Sequence, residues 1–286
     1  MRKATPVNIP LNWGTLSGMH WSNPGAPKLM CLHGWLDNAA SFVPLARHLQ
    51  DFDLLAIDLA GHGFSAHRPP HSRYYFSENI YDLDAALDQL QWDSCHLMGH
   101  SMGGAIACHF AAAAPERVKR LVSLDAVGIF TQAEEKSGKQ WQMSLQGVRK
   151  KSRPLRPYES VEQAMTARQL TSPLSDQAAR LLCERALEHN GDYYQWRTDQ
   201  RLNWRSPQIL SHKQAVSVLS VIEAPTLTIN SAYMTKYLSD EELADRFAAL
   251  KDGTHVEDPG HHHFHMETPE CTGPVITEFL LKDAAS

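Results

Sequence analysis

The stretch CHLMGHSMGGAIACHFAAAAPERV, residues 95–118, decides the fold of this chain. It opens on a short apolar run of strand character. GHSMGG, residues 99–104, follows at once and matches the pattern G-x-S-x-G. An alanine-rich helical stretch continues from it and stops near Pro115. Strand, tight turn and helix in that order put Ser101 on a sharp bend, in a strained backbone conformation with its hydroxyl turned to solvent. Gly99 and Gly103 are expected to be small because the turn and the helix pass close to neighbouring backbone. The start of the helix adds a field that favours developing negative charge. The five-residue pattern alone says little. Its place between a strand and a helix makes Ser101 a candidate nucleophile.

The same rhythm repeats on either side. PKLMCLHG (27–34) reads as a buried strand ending in a glycine turn, and SFVPLARHLQ (41–50) has helical spacing. FDLLAIDLAGHG (52–63) is a second strand running into a glycine loop. NIYDLDAALDQLQW (79–92) spaces its apolar residues three and four apart, the mark of a helix. KRLVSLDAVG (119–128) is a further strand. Strands alternating with helices predict a parallel sheet covered by helices on both faces. The rhythm breaks after Gly128. Residues 129–216 are helical and polar, with no convincing parallel-sheet strand. Strand pattern resumes at APTLTIN (224–230), followed by a helix at 240–250, a short strand THVED (254–258) and a last helix near 272–282. The expected fold is α/β: a mostly parallel central sheet flanked by helices, in two parts (1–128 and 217–286). A helical lid, 129–216, is inserted after the strand ending at Asp125.

The chain, 286 residues long, suffices for a substantial core. Hydrophobic residues make up 43% and charged residues 21%, a globular balance. A net charge of -5 argues against a nucleic-acid partner or an anionic membrane surface. No stretch approaches the length of a membrane span. The N-terminal MRKATPVNIPLNWGTLSG has no apolar run behind its charges, so no secretory signal is expected. The five cysteines are scattered, odd in number and without C-x-x-C spacing, which predicts a reducing, cytoplasmic setting.

LHGW after one strand, DLAGHGFS after the next, GHSMGG after the third and a late GHHHFHMETPE occur in the order of the α/β-hydrolase superfamily. The chain resembles that superfamily over nearly its whole core. More narrowly, HGWLDNAASF, GHSMGG and DQRLNW look like the serine hydrolase-like group. The resemblance implies the α/β-hydrolase fold and a serine hydrolase. It also implies an oxyanion hole made of two backbone N–H groups, those of Met102 after the nucleophile and of Trp35 after HG. The superfamily's late pattern is a glycine, a histidine, a few mostly apolar residues, then an acid or polar residue and proline. Matching Met266, Glu267 and Pro269 to that ending makes His262 the base, with His261 and His263 as alternatives.

The third member departs from the commoner family arrangement, in which the acid follows the strand after the lid. Here that loop, INSAYMTKYLSD, has no Asp or Glu until Asp240, and Met234 falls where the acid would stand. A second arrangement within the superfamily takes the acid one strand earlier. Asp125 ends the LVSLDA strand, at the edge where the active sites of such sheets gather. Ser101, Asp125 and His262 then keep the order Ser–acid–His. Asp125 is the leading candidate and Asp240 the alternative; an Asp at 125 is also a common structural hydrogen-bonding group.

His261, His263 and His265 alternate, and on a strand they would share a face able to hold zinc. Pro259–Gly260 favours a loop, and no H-E-x-x-H or H-x-H-x-D-H pattern occurs, so no metal and no cofactor are expected. His33 and His100 are read as packing or hydrogen-bonding groups, and Asp37 and Asn38 as residues that order the loop after HG or cap a helix. Asp199 and Arg201 are candidates to pair with each other. Trp141, Tyr158, Tyr193, Tyr194 and Trp196 are expected to pack the lid, with an aromatic-lined acyl pocket as the alternative. The expected partner is a small-molecule substrate, a carboxylic ester or related acyl compound cleaved through an acyl-enzyme on Ser101. Thioesters, lactones and C–C bonded diketones stay open. Two other readings share the fold: a catalytically silent ligand-binding protein and a cofactor-free oxygenase. No motif speaks to the oligomeric state.

Overall fold

The computed structural model describes residues 2–150 and 155–282. Among these, the central sheet has eight strands. In chain order they are β1 (Thr5–Leu11), β2 (Gly14–Trp21), β3 (Lys28–Leu32), β4 (Asp53–Ile57), β5 (Cys95–His100) and β6 (Val118–Leu124), then β9 (Thr226–Ser231) and β10 (Gly253–Asp258). β7 (Leu187–His189) and β8 (Tyr194–Trp196) form a separate antiparallel hairpin. The sheet order is β1-β2-β4-β3-β5-β6-β9-β10. β1 and β2 pair antiparallel with their neighbours, and β4 onward all pairings are parallel.

The period-two alternation of a strand explains why the central ones are apolar throughout. In β3, Met30 and Leu32 enter one core while Leu29 and Cys31 enter the other; β4 does the same with Leu55 and Ile57 against Leu54 and Ala56. Helices α1 (Glu78–Gln89) and α2 (Met102–Ala113) cover the first face, with Leu83, Leu87, Ile106 and Phe110 buried there. The second face is closed by Phe42 and Leu45 from two short 3-10 turns and by Ile276, Phe279 and Leu280 near the C-terminal end.

Between β6 and β9 the chain leaves the central sheet. It forms α3 (Ser137–Arg149), α4 (Val161–Gln169), α5 (Asp176–Ala186), the β7–β8 hairpin and α6 (His212–Leu219). Residues 151–154 of the expected lid lie outside the described residues. Tyr158, Ala164, Met165, Leu182 and Cys183 make a small core of their own, which Met266 joins. α6 runs across the boundary expected at 216–217, and its Leu219 is buried in the central core beside α2. The helices that follow among the described residues are α7 (Asp240–Ala249), a short α8 (Phe264–Glu267) and α9 (Pro269–Leu281). Two ion pairs to buried carboxylates tie the inserted helices down: the partly buried Arg185 on α5 grips Asp58, and the partly buried Arg168 on α4 reaches Asp37.

Two stretches differ from the expectation. SFVPLARHLQ is not one helix but two 3-10 turns, Ala39–Phe42 and Leu45–Arg47, because Pro44 lacks the N–H that would join them. Residues 5–21 form the β1–β2 hairpin, whose mixed polar and apolar pattern gave no strand signal. Gly18 is required there, since a Cβ would stand 2.6 Å from the carbonyl oxygen of Ala56.

Candidate active site

Ser101 sits between β5 and α2 with φ 52° and ψ -116°, a conformation side chains other than glycine's rarely adopt. The glycines around it make the bend possible. A Cβ on Gly103 would stand 2.1 Å from the carbonyl oxygen of Leu32 in β3, and one on Gly99 would stand 2.2 Å from that of Gly103. Strand, bend and helix therefore touch backbone to backbone. Such strain persists only where the surroundings over-determine it.

Three elements converge on this serine. His262 lies in the turn between β10 and α8, and its Nε2 is 3.0 Å from Ser101 Oγ. Its Nδ1 donates to Asp125 Oδ2 at 2.5 Å. That bond leaves Nε2 as the acceptor of the serine proton. Asp125, just past β6, is buried and itself has a positive φ of 50°. Its second oxygen, Oδ1, accepts from the N–H and the hydroxyl of Ser231 at 2.7 and 3.0 Å. β6 and β9 are neighbours in the sheet, so Ser231, at the end of β9, stands beside Asp125 at the end of β6. Ser231 thus fills with two donors the place next to the acid that β9 offers.

The alternatives lie elsewhere. Asp240 is the exposed first residue of α7 and has no hydrogen bond to His262 among the described residues. Met234 is buried and lines the cavity beside the serine. His261 points into solvent. His263 binds Asp37 Oδ2 through Nε2 at 3.0 Å, and His265 is wholly buried. His263 ends the turn and His265 is on α8, so His261, His263 and His265 do not share the strand face on which they could act together. Among the described residues, the group whose potential ligand atoms come together is a different one, Asp37, His100 and His263.

Met102 opens α2, where N–H groups have no partner within the helix and the helix dipole is positive. Neither its N–H nor that of Trp35 is hydrogen-bonded among the described residues, and both residues line the cavity with Ser101 and His262. The loop carrying Trp35 is held by His33, whose Nδ1–H donates to Gly34 O and whose Nε2 accepts from the Leu59 N–H. Asn38 caps the turn that follows through the Ala40 N–H, and it donates to Leu182 O on α5.

Of the residues around His262, Tyr233 carried no sequence signal, whereas His100 and Asp37 were expected as hydrogen-bonding and loop-ordering groups. Tyr233 lays its ring against the imidazole, with centroids 4.3 Å apart. His100 donates its Nε2–H to the backbone carbonyl of His262 at 2.7 Å and so fixes the loop. Burial holds His100 well below the usual histidine range, and the neighbouring rings of His265, His262 and His263 push it further down, so it is neutral. Burial would raise Asp37, but the hydrogen-bonded His263 and the Arg168 guanidinium outweigh it and hold its carboxyl well below the usual range.

The cavity over the serine has a volume of about 650 Å³. Trp35, Phe76, Met102, Ile129, Phe130, Met234, Tyr237 and Leu238 give it a largely apolar wall. None of the five aromatic residues considered for an acyl pocket lines it. Tyr158, Tyr194 and Trp196 pack within the inserted segment, while Trp141 and Tyr193 are exposed. Trp196 instead borders a more open cleft of about 470 Å³, away from Ser101 and walled by Asp199 and Arg201, which pair with each other at 2.6 Å.

Residues 27–269 match the family described as alpha/beta hydrolase fold. A serine hydrolase-like protein of Danio rerio is 33% identical over 98% of this chain and 89% of its own length. Serine hydrolase-like protein 2 of Homo sapiens is 27% identical over 96% of this chain and 93% of its own. Among solved structures, a hypothetical protein of Pseudomonas aeruginosa superposes with a TM-score of 0.88 at 31% identity, covering 96% of this chain and 99% of that one. The chain belongs to the α/β-hydrolase superfamily and is a hydrolase by class. No helix among the described residues is long and apolar enough to cross a membrane.

Proposed function

We propose that this enzyme cleaves carboxylic esters, or closely related acyl compounds, through an acyl-enzyme on Ser101. The observation that carries the reading is the unbroken chain from Ser101 Oγ to His262 at 3.0 Å and from His262 to Asp125 at 2.5 Å, set on a strained elbow. Ser101 attacks the carbonyl carbon while His262 Nε2 takes its proton. Asp125 holds the ring in the required tautomer and stabilises its charged form. The tetrahedral oxygen receives the N–H groups of Trp35 and Met102, each worth about 10²–10³ in rate. His262 returns the proton to the leaving alcohol, then draws one from the water that attacks the acyl carbon and passes it to Ser101 Oγ as the acyl bond breaks, releasing the acid.

The apolar wall and the cavity volume of about 650 Å³ favour an uncharged, hydrocarbon-rich acyl group. Related proteins fit this range: one of Danio rerio, 27% identical, is named an sn-1-specific diacylglycerol lipase. Residues 129–216 act as a lid, since Ile129, Phe130, Arg168 and Ser172 all reach the cavity. Four buried cysteine thiols and one exposed one, all free, fit a reducing cytoplasm.

The test is a panel of p-nitrophenyl esters of increasing chain length, run on wild type and Ser101→Ala, with fluorophosphonate labelling alongside. Turnover and labelling that both vanish in the variant support the reading. A folded wild-type protein that neither labels nor hydrolyses any ester sinks it.

A further inference from the structure

Behind His262 lies a cluster that the proposed reaction does not use. One oxygen of Asp37 and one ring nitrogen each of His100 and His263 all lie within 4.8 Å of one another, and all three residues are buried. Asp37 Oδ2 is 3.0 Å from His263 Nε2 and 3.8 Å from His100 Nδ1. Tetrahedral zinc with bonds of about 2.1 Å holds its ligand atoms about 3.4 Å apart, between those two separations.

The tautomer of His100 is decided by its partner. Its Nε2 meets the carbonyl oxygen of His262, which only accepts, so the proton is on Nε2 and Nδ1 presents a lone pair. That Nδ1 is buried without a hydrogen-bond partner among the described residues, and it faces a carboxylate oxygen. Two electron-rich atoms facing each other in a buried place suit a cation. Gly34 keeps the flank open, for a Cβ there would stand 3.0 Å from His100 Nδ1 and 3.1 Å from Asp37 Oδ2.

We propose that Asp37, His100 and His263 bind one divalent transition-metal ion of the zinc class, and that its occupancy inhibits the enzyme. Two histidines and a carboxylate are a ligand set such ions favour. The supports behind the ligands are present too: His100 donates its other N–H to a backbone carbonyl, and His263 Nδ1 lies 3.1 Å from Ser172 Oγ. On binding, the His263 proton moves from Nε2 to Nδ1, and the Ser172 hydroxyl turns from donor to acceptor. Arg168, which holds Asp37 Oδ1 at 2.8 Å, is the ion's competitor. All four residues border the cavity, and an ion enters from that side once the Arg168 side chain gives way.

The inhibitory half rests on the catalytic reading above; the binding half does not. The ion's ligands flank His262, with ring centroids 4.7 Å away for His100 and 5.2 Å for His263. Its charge opposes the positive charge that His262 takes on in each proton transfer.

The experiment titrates chelator-treated wild type and Ser101→Ala with Co²⁺, read by visible absorption, and with Zn²⁺, read by calorimetry. One ion per chain with the intense absorption of four-coordinate cobalt is expected in both proteins. Wild-type ester hydrolysis should fall along the same saturation curve and recover with chelator. Asp37→Asn and His100→Gln should each weaken binding by more than the roughly 10–100-fold that loss of an outer-shell partner costs. Arg168→Met should tighten it. If Asp37→Asn fails to fold by circular dichroism, His263→Gln replaces it. Absence of saturable binding, or an affinity unchanged in Asp37→Asn and His100→Gln, overturns the site. Loss of binding in Ser101→Ala also overturns it, by moving the ion to the serine itself. Saturable binding with undiminished hydrolysis overturns the inhibition.

Discussion

On the proposed mechanism, asparagine at position 125 separates the orienting role of Asp125 from its structural one. Asp125 Oδ1 accepts two donors from Ser231, at 2.7 and 3.0 Å, and Oδ2 accepts the His262 Nδ1–H at 2.5 Å. In Asp125→Asn the carbonyl oxygen must stay on the Ser231 side. Turning the amide NH₂ there would set it against a backbone N–H in a site with 1% exposure, where no solvent relieves the clash. The NH₂ group then faces His262 Nδ1, which has to become an acceptor. The ring proton moves to Nε2, the nitrogen that must receive the serine proton. The expected loss is about 10⁴ in kcat, or about 5.4 kcal/mol in activation free energy. Stability should change little, because both Ser231 bonds survive and a buried charge is removed. The measurements are kcat on the best p-nitrophenyl ester and the urea midpoint of the same preparation. A folded Asp125→Asn enzyme with near-wild-type kcat would refute the reasoning, the more so if Asp240→Asn proved the inactive one.

Further outcomes follow from the packing. Gly103→Ala drives a Cβ to within 2.1 Å of the Leu32 carbonyl oxygen, a backbone atom in the middle of the sheet. Its cost should reach or exceed the upper end of the about 1–3 kcal/mol typical of overpacking, read as Tm; an unchanged Tm argues against the close contact. Arg185→Met strips the guanidinium from Asp58, which is wholly buried and then keeps only the N–H groups of Ala39 and Phe64. Breaking such a pair costs about 3–5 kcal/mol, and a urea-derived loss under about 1 kcal/mol would contradict the anchoring role. Stability should also fall on acidification. Burial pushes His62 down to about 3 and His96 down to about 4, whereas the unfolded chain takes up these protons near pH 6.5. The stability from keeping them neutral is present above about pH 6.5 and declines below it, until about pH 4 for His96 and about pH 3 for His62. His96→Gln should flatten part of the decline in urea midpoint between pH 7 and pH 4; an identical pH profile would count against it.

What was legible in the sequence was whatever local pattern controls. The strands buried on both faces are continuous apolar runs, and the Gly–His–Ser–Met–Gly turn between one of them and an alanine-rich helix admits one geometry, because Gly99 and Gly103 leave no room for a Cβ. The resemblance to the superfamily's late motif and to its second acid position then implied His262 and Asp125 as candidates, and these side chains lie within hydrogen-bond reach of one another and of Ser101. The β1–β2 hairpin was silent because it lies at the sheet edge, where the pattern is mixed. What only the tertiary structure decided depends on which strand ends are neighbours. β6 lies beside β9, and so the acid is served by a serine from the next strand rather than replaced by a carboxylate there. The run of histidines shows the same division. Adjacent in sequence, they part in space as the turn winds into α8, with His261 in solvent, His262 on the serine, His263 on Asp37 and His265 in the core. Spacing along a chain gives no direction to a side chain in a turn. Only the packed loop does, through the bonds that His100 and Asp37 make to it.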